Sequence, residues 1–297
     1  MPLNLSLEQL TLPPKFIIYV KSHLLFGVKN REYIRKTWGR SVKIVFICVT
    51  ELPTLEKFKF SNPDVELMSD MLVLGNFRET ADHLTIKVIE VLKFHVDCYQ
   101  EKNENVYSMI TDDDVYFFTD RLLKEIIIPL KISTEYLVNV ADQGMKNIIL
   151  GRILWTGKPI RALPGQMGKG KYAVAPEVYP YDLWPPFCTG ICCIFTPSIP
   201  KLLLNQVDKV PHIKHLDDAY LGVLAHFNNM EVEKGERNSS DLIHFRQDKR
   251  FCHGRENEML SCDYINFHRR MVDANFVFER NRQCFIENRD EFTDPNY

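Results

Sequence analysis

Along the first half of the chain, short apolar runs alternate with stretches in which apolar positions recur at helical spacing. Phe16–Val20 ("FIIYV") and Lys43–Val49 ("KIVFICV") are continuous, β-branched and aromatic runs that predict buried strands. Between them, Asn30–Trp38 opens on a capping residue and predicts a short helix. Val65–Leu74 predicts a further strand. His83–Tyr99 sets Leu84, Val88, Val91, Leu92 and Val96 near helical spacing. Val106–Ile110 then predicts a strand and Thr119–Ile128 a helix. Such alternation predicts a layered α/β sheet, in which ligands gather at the carboxyl ends of the strands.

The second half is less regular. Gly151–Pro186 is rich in Gly and Pro and predicts long functional loops, and Cys188, Cys192 and Cys193 fall in a loop-like stretch just beyond it. Ile199–Val207 and Asp218–Phe227 resume helical patterning. Beyond Asp241 the chain turns polar and irregular. The expected organisation is one domain over residues 1–245, with a tail over 246–297 wrapped around it.

Composition narrows the function only a little. The 297 residues are 45% hydrophobic and 26% charged, with a net charge of -2, which predicts no nucleic-acid partner. The longest apolar stretches, such as Ile44–Val49, are too short to cross a bilayer, and the opening residues lack a signal-peptide pattern. Eight cysteines and the N-x-S sequons at Asn4 and Asn238 fit an oxidising lumen, provided an anchor or targeting segment is missing from this version of the chain.

The chemistry concentrates in "YSMITDDDVYFF". Asp112, Asp113 and Asp114 follow an apolar strand, where adjacent like charges repel and buried carboxylates need a partner. A helix cap needs one acid rather than three. A D-x-D-x-[TV] phosphatase nucleophile site is disfavoured because Tyr116 stands at its last position. The remaining reading is a D-x-D metal site, with hard oxygen ligands for Mn²⁺ or Mg²⁺ and a diphosphate.

Five blocks, in order from Phe16 to about Gly222, resemble the β-1,3-glycosyltransferase family of β-1,3-galactosyl- and β-1,3-N-acetylglucosaminyltransferases. Arg31, Ile34, Arg35, Thr37 and Trp38 match its R-x-x-I-R-x-T-W. Phe77, Leu84, Thr85 and Lys87 match a second block in which Glu79, Ala81 and His83 are substitutions. "ITDDDVYF" is similar to K-x-D-D-D-V-[FY], with Ile110 at the Lys position. Pro185, Pro186, Cys188 and Gly190 match the fourth block, where Cys192 and Cys193 replace Gly and Tyr. Asp217, Asp218, Tyr220 and Gly222 match E-D-V-Y-x-G.

The resemblance implies a GT-A fold, a Rossmann-like mixed sheet flanked by helices. It implies an inverting, Mn²⁺-dependent hexosyltransferase that moves galactose or N-acetylhexosamine from a UDP-sugar to a glycan on a glycoprotein or glycolipid, in β-1,3 linkage. Asp218 is then the expected base. Asp114 and Asp112 are expected metal ligands, with His268 as a third and His244 the second choice. Arg31, Arg35, Asp112 and Asp113 are expected at the donor. The implied location is the lumenal side of the Golgi membrane, with a homo- or heterodimer as a further expectation and Cys188 paired to Cys262. The substitutions at Ile110, Ala81, His83, Cys192 and Cys193 leave a second reading, an inactive member that binds carbohydrate or assists a partner.

Overall fold

The computed structural model describes residues 15–51, 69–75, 77–102, 104–136, 146–161, 172–248, 250–251 and 261–262. Its centre is a seven-stranded mixed sheet of order β3-β2-β1-β4-β7-β6-β8. The strands are Phe16–Lys21 (β1), Lys43–Val49 (β2), Met71–Leu74 (β3), Tyr107–Asp112 (β4), Asn147–Leu154 (β6), Phe187–Phe195 (β7) and Ile243–Gln247 (β8). A small second sheet pairs Tyr116–Phe117 (β5) with Ser261–Cys262 (β9). β3, β2, β1 and β4 run parallel, whereas β7 is antiparallel to both β4 and β6.

Both faces of the sheet are covered, which is why β1 and β2 read as continuous apolar runs rather than alternating ones. Successive residues of β1 still point to opposite sides. Ile17 and Tyr19 join a core with Val88 and Leu92 of helix Leu84–His95 (α2). Leu203 of Ile199–Leu204 (α4) and Leu224 of Asp217–Glu233 (α5) complete that side. Phe16, Ile18 and Val20 pack on the other face against Ile34 of helix Val28–Lys36 (α1). Leu122 and Ile126, from a helical run over residues 119–136 (α3), complete that layer. This is the helix-flanked mixed α/β sheet that was expected.

Several elements depart from the sequence reading. Residues Gly151–Leu154 belong to β6, and the three central cysteines lie within β7 rather than in a loop. The β6–β7 register passes from Gly151↔Cys193 to Ile153↔Cys188, so residues 189–192 bulge out of the ladder. Nor is the segment beyond Asp241 wholly irregular. β8 pairs in parallel with β6 and runs across the expected boundary at residue 245. Helix α2 starts one residue later than expected and passes into a wider π turn over Val96–Gln100. Among the described residues, no helix is long and apolar enough to cross a membrane.

Candidate active site

β2 and β3 lie on one side of β1, and β4 on the other. The direction of strand progression therefore reverses between β1 and β4, the position at which open α/β sheets bind ligands beyond their carboxyl ends. β1 ends there in Lys21, directly opposite Asp112 at the end of β4. The three aspartates thus stand where the fold opens a crevice.

Each carboxylate has a different environment. Asp112 Oδ1 is 3.0 Å from Lys21 Nζ. Asp113 accepts from Ser22 Oγ at 2.6 Å and Asn30 Nδ2 at 3.1 Å. Burial nevertheless pushes the Asp113 carboxyl above its ordinary range, against those two hydrogen bonds. Asp114 is exposed to solvent at the following turn. Repulsion among the three is thus relieved by an ammonium at Asp112 and a hydroxyl and amide pair at Asp113, while Asp114 stands at the exposed end of the run.

Lys21 also reaches Asp217 Oδ2 at 2.6 Å, so one buried ammonium ties the aspartate strand to the start of α5. Burial alone would depress its pKa; the two carboxylates outweigh that and raise it above the ordinary lysine value. Sequence reasoning missed this residue. Its only local signal is a cation placed directly after an apolar strand.

Asp218 follows on α5. The helix is capped by Leu216 without a side-chain hydrogen bond, so Asp218 is not its N-cap residue. Its Oδ1 accepts the backbone N–H of Ala219 at 2.7 Å. Burial first, and the neighbouring Asp217 second, push its carboxyl up to about 6, while the Ala219 N–H, Lys21 and the Gly190 N–H pull the other way. A carboxylate poised there is suited to proton abstraction near neutral pH. Gly190 lies beside it on the bulge of β7. A Cβ at that position would stand 3.4 Å from Asp112 Oδ2 and 3.8 Å from Lys21 Nζ, so glycine leaves this edge uncovered.

The two arginines expected to touch the donor are committed to protein groups. Arg31 is buried and donates to Ser22 Oγ at 2.8 Å, the His23 carbonyl at 2.7 Å and the Leu24 carbonyl at 2.7 Å. It fixes the loop that follows β1. Arg35 grips Asp70 with two hydrogen bonds of 2.7 and 2.8 Å and lies over the Phe46 ring. A guanidinium fork matches carbonyls and carboxylates as well as phosphates, which is why sequence alone does not separate these roles. Lys87 adds a third tie, donating to the Ser22 carbonyl at 2.8 Å and pairing with Glu79, which accepts the Val49 N–H.

His268 lies outside the described residues. His244 is on β8, separated from β4 by β7 and β6, and so stands away from the aspartates. Cys188 is a buried free thiol that donates to the Cys192 carbonyl at 2.8 Å, which replaces the expected pairing with Cys262. Cys192 packs in the core 3.3 Å from Met109 Sδ, and Cys193 is buried on the opposite face. Ile110, at the position of the family lysine, is buried in the same core as Cys193. These substitutions are accommodated by packing.

Residues 29–236 match the model of the galactosyltransferase family. This chain belongs to that family. It is 26% identical over 222 residues to human UDP-GalNAc:beta-1,3-N-acetylgalactosaminyltransferase 1, covering 71% of the chain and 59% of the human protein. It is 22% identical over 260 residues to chimpanzee beta-1,3-galactosyltransferase 5, covering 85% of the chain and 78% of that relative. The chain therefore spans less than two thirds of the human relative's length.

Proposed function

We propose that the protein is an inverting glycosyltransferase that moves galactose or an N-acetylhexosamine from a UDP-sugar to a glycan hydroxyl in β-1,3 linkage. One observation carries the reading: Lys21 joins the aspartate run at the end of β4 to the start of α5, where Asp218 has its carboxyl pushed up to about 6. The aspartate run and Asp218 share one edge of the sheet, which supports a reading with the acid cluster on the diphosphate side and the base on the acceptor side. Family membership supports the same class of chemistry.

In this reading Asp218 takes the acceptor hydroxyl's proton as that oxygen attacks the anomeric carbon. The bond from the anomeric carbon to the diphosphate breaks in the same displacement, so an α-configured donor yields a β product. Asp112 and Asp114 offer hard oxygen donors that suit Mn²⁺, with Asp112 turning Oδ1 to Lys21 and leaving Oδ2 on the side kept open by Gly190. Among the described residues no three metal-ligating side chains converge, so the fit rests on those two carboxylates together with diphosphate oxygens. The metal would supply Lewis-acid stabilisation of the leaving diphosphate. Arg31 and Lys87 hold the loop after β1 in shape at the donor side. The proposed setting is the Golgi lumen, where the exposed sequon at Asn238 is available for glycosylation.

The test is UDP-sugar hydrolysis and transfer by purified protein, with Mn²⁺ and with EDTA, across UDP-galactose, UDP-GlcNAc and UDP-GalNAc. Turnover with one of these donors that EDTA removes is expected. Asp114→Ala should abolish that turnover while melting within a few degrees of the parent in metal-free buffer. An Asp114→Ala protein that still transfers sugar would overturn the assignment of the metal site. No turnover with any donor, alongside intact binding of a glycan, would favour the inactive carbohydrate-binding reading.

A further inference from the structure

A cavity of about 480 Å³ opens between the segment that precedes β7 and the middle of α5. Tyr179, Trp184, Pro186, Val223, Phe227 and Met230 line it. Tyr179 and Trp184 stack with ring centroids 4.2 Å apart, which makes one wall rigid. At the rim, Tyr181 is 55% and Leu183 50% exposed, large apolar groups left facing water.

The cavity is joined to the reaction edge by both of its walls. α5 carries Asp218 in its first turn and Val223 five residues later, about 7.5 Å along the axis and about 140° around it, with Pro186 and Phe187 packed on Gly222 between the two. β7 leaves the cavity at Phe187 and delivers Gly190, whose N–H reaches Asp218. A molecule with one end at Asp218 reaches the cavity by passing over Pro186, which lines it and packs beside Gly222.

The lining selects the chemistry of that end. A pyranose ring brings hydroxyls that each need a partner when desolvated. The Tyr179 hydroxyl already donates to the Leu183 carbonyl at 2.7 Å, and the other polar side chains of the lining, Tyr181, Asp182 and His226, are all exposed at its rim. The rest is aromatic and aliphatic surface, and the volume lies in the range of small-ligand pockets.

We propose that this cavity takes the apolar aglycone of the acceptor, an alkyl chain or aryl ring attached at its reducing end. The inference rests on the glycosyltransferase reading above. The acceptor sugar lies over Asp218, and its aglycone passes over Pro186 and around α5 into the Tyr179–Met230 cavity.

Methyl, butyl and octyl β-galactosides, kept below micelle-forming concentrations, test this in two ways. In transfer assays, the octyl acceptor should show a KM at least about tenfold below that of the methyl acceptor, since each buried methylene adds to binding. Met230→Glu and Leu183→Glu should collapse that ratio toward one; the latter sits at a half-exposed position where the fold tolerates a charge. In the absence of donor, octyl galactoside should perturb the fluorescence of Trp184 in the parent and not in the variants. Transfer with no dependence on chain length, or a ratio that survives both variants, overturns the proposal while leaving the reaction standing. Octyl binding lost in the variants, with no transfer from any donor, upholds the cavity and sinks the reaction. A dimer seen by sedimentation that Leu183→Glu dissolves and octyl galactoside does not displace would assign the face to a second copy and overturn the proposal.

Discussion

Lys21 Nζ lies 2.6 Å from Asp217 Oδ2, joining residues 196 positions apart in the chain. The contact fixes the first turn of the Asp217–Glu233 helix against the end of β1, beside β4 and its aspartates. Both groups are largely buried, with side-chain exposures of 6% and 12%. Removing Lys21 strands the buried Asp217 carboxylate without a counter-charge, whereas Lys21 itself keeps Asp112 as a second partner.

Lys21→Met should therefore destabilise the protein by about 3–5 kcal/mol, read as a lower urea midpoint at unchanged slope. Pairing it with Asp217→Asn should recover most of that loss, because the one carboxylate then left without its ammonium, Asp112, is 45% exposed and can be hydrated. A single substitution that costs under about 1 kcal/mol would mean that water already shields the pair. Transfer should fall further than the folded fraction explains, since Asp112 and Asp218 lose the ammonium between them.

Asp218 makes a prediction about pH. Its carboxyl is held near 6, above the ordinary 3.8, chiefly by burial. A base must be ionised to act, so kcat/KM should fall about tenfold per pH unit below 6 and flatten above it. Asp218→Asn should lower transfer by roughly a hundred- to ten-thousandfold at pH 7.5. Stability should move the other way. With a raised carboxyl pKa the folded state holds more protons than the unfolded one between about 4 and 6, so stability falls as pH rises through that window. Asp218→Asn should match the parent at pH 4 and exceed it at pH 8 by on the order of 1–2 kcal/mol in metal-free buffer. A pH-independent difference in stability would show that the carboxyl titrates normally.

What the sequence revealed follows from how local each feature is. β1 and β2 were readable because parallel strands covered on both faces must be apolar throughout. β7 was not, since Thr189 and Gly190 interrupt the run where the ladder bulges, and a bulge carries no period. β8 was hidden because Ile243 alone is buried among its exposed and half-exposed residues, the mark of an edge strand. In the site, Asp112–Asp114 announced themselves as three acids after an apolar strand. Lys21 did not, because its partners come from β4 and from a helix far along the chain. The roles of Arg31 and Arg35 were not legible for a physical reason: carbonyls and Asp70 take up the same kind of donor that a diphosphate would use.

The last prediction concerns how closely α5 must approach the sheet for Asp218 to be in place. A Cβ built on Gly222 would stand 2.4 Å from Phe187 Cβ and 2.7 Å from the Pro186 carbonyl oxygen. Both neighbours belong to the segment entering β7, so neither can swing aside as a surface side chain would. Gly222→Ala should push the helix off the strand and cost about 1–3 kcal/mol, the usual range for overpacking. Gly222 lies one turn beyond Asp218, so the same displacement moves the base relative to Gly190 and Asp112. Transfer measured well below the melting temperature should drop by about tenfold or more, because misplacement of order 1 Å is enough to lose catalysis. Gly75→Ala, where a Cβ meets nothing within 4 Å, is the control and should leave both readouts unchanged. If Gly222→Ala melts lower yet transfers at the parent's rate, the approach of α5 serves packing alone.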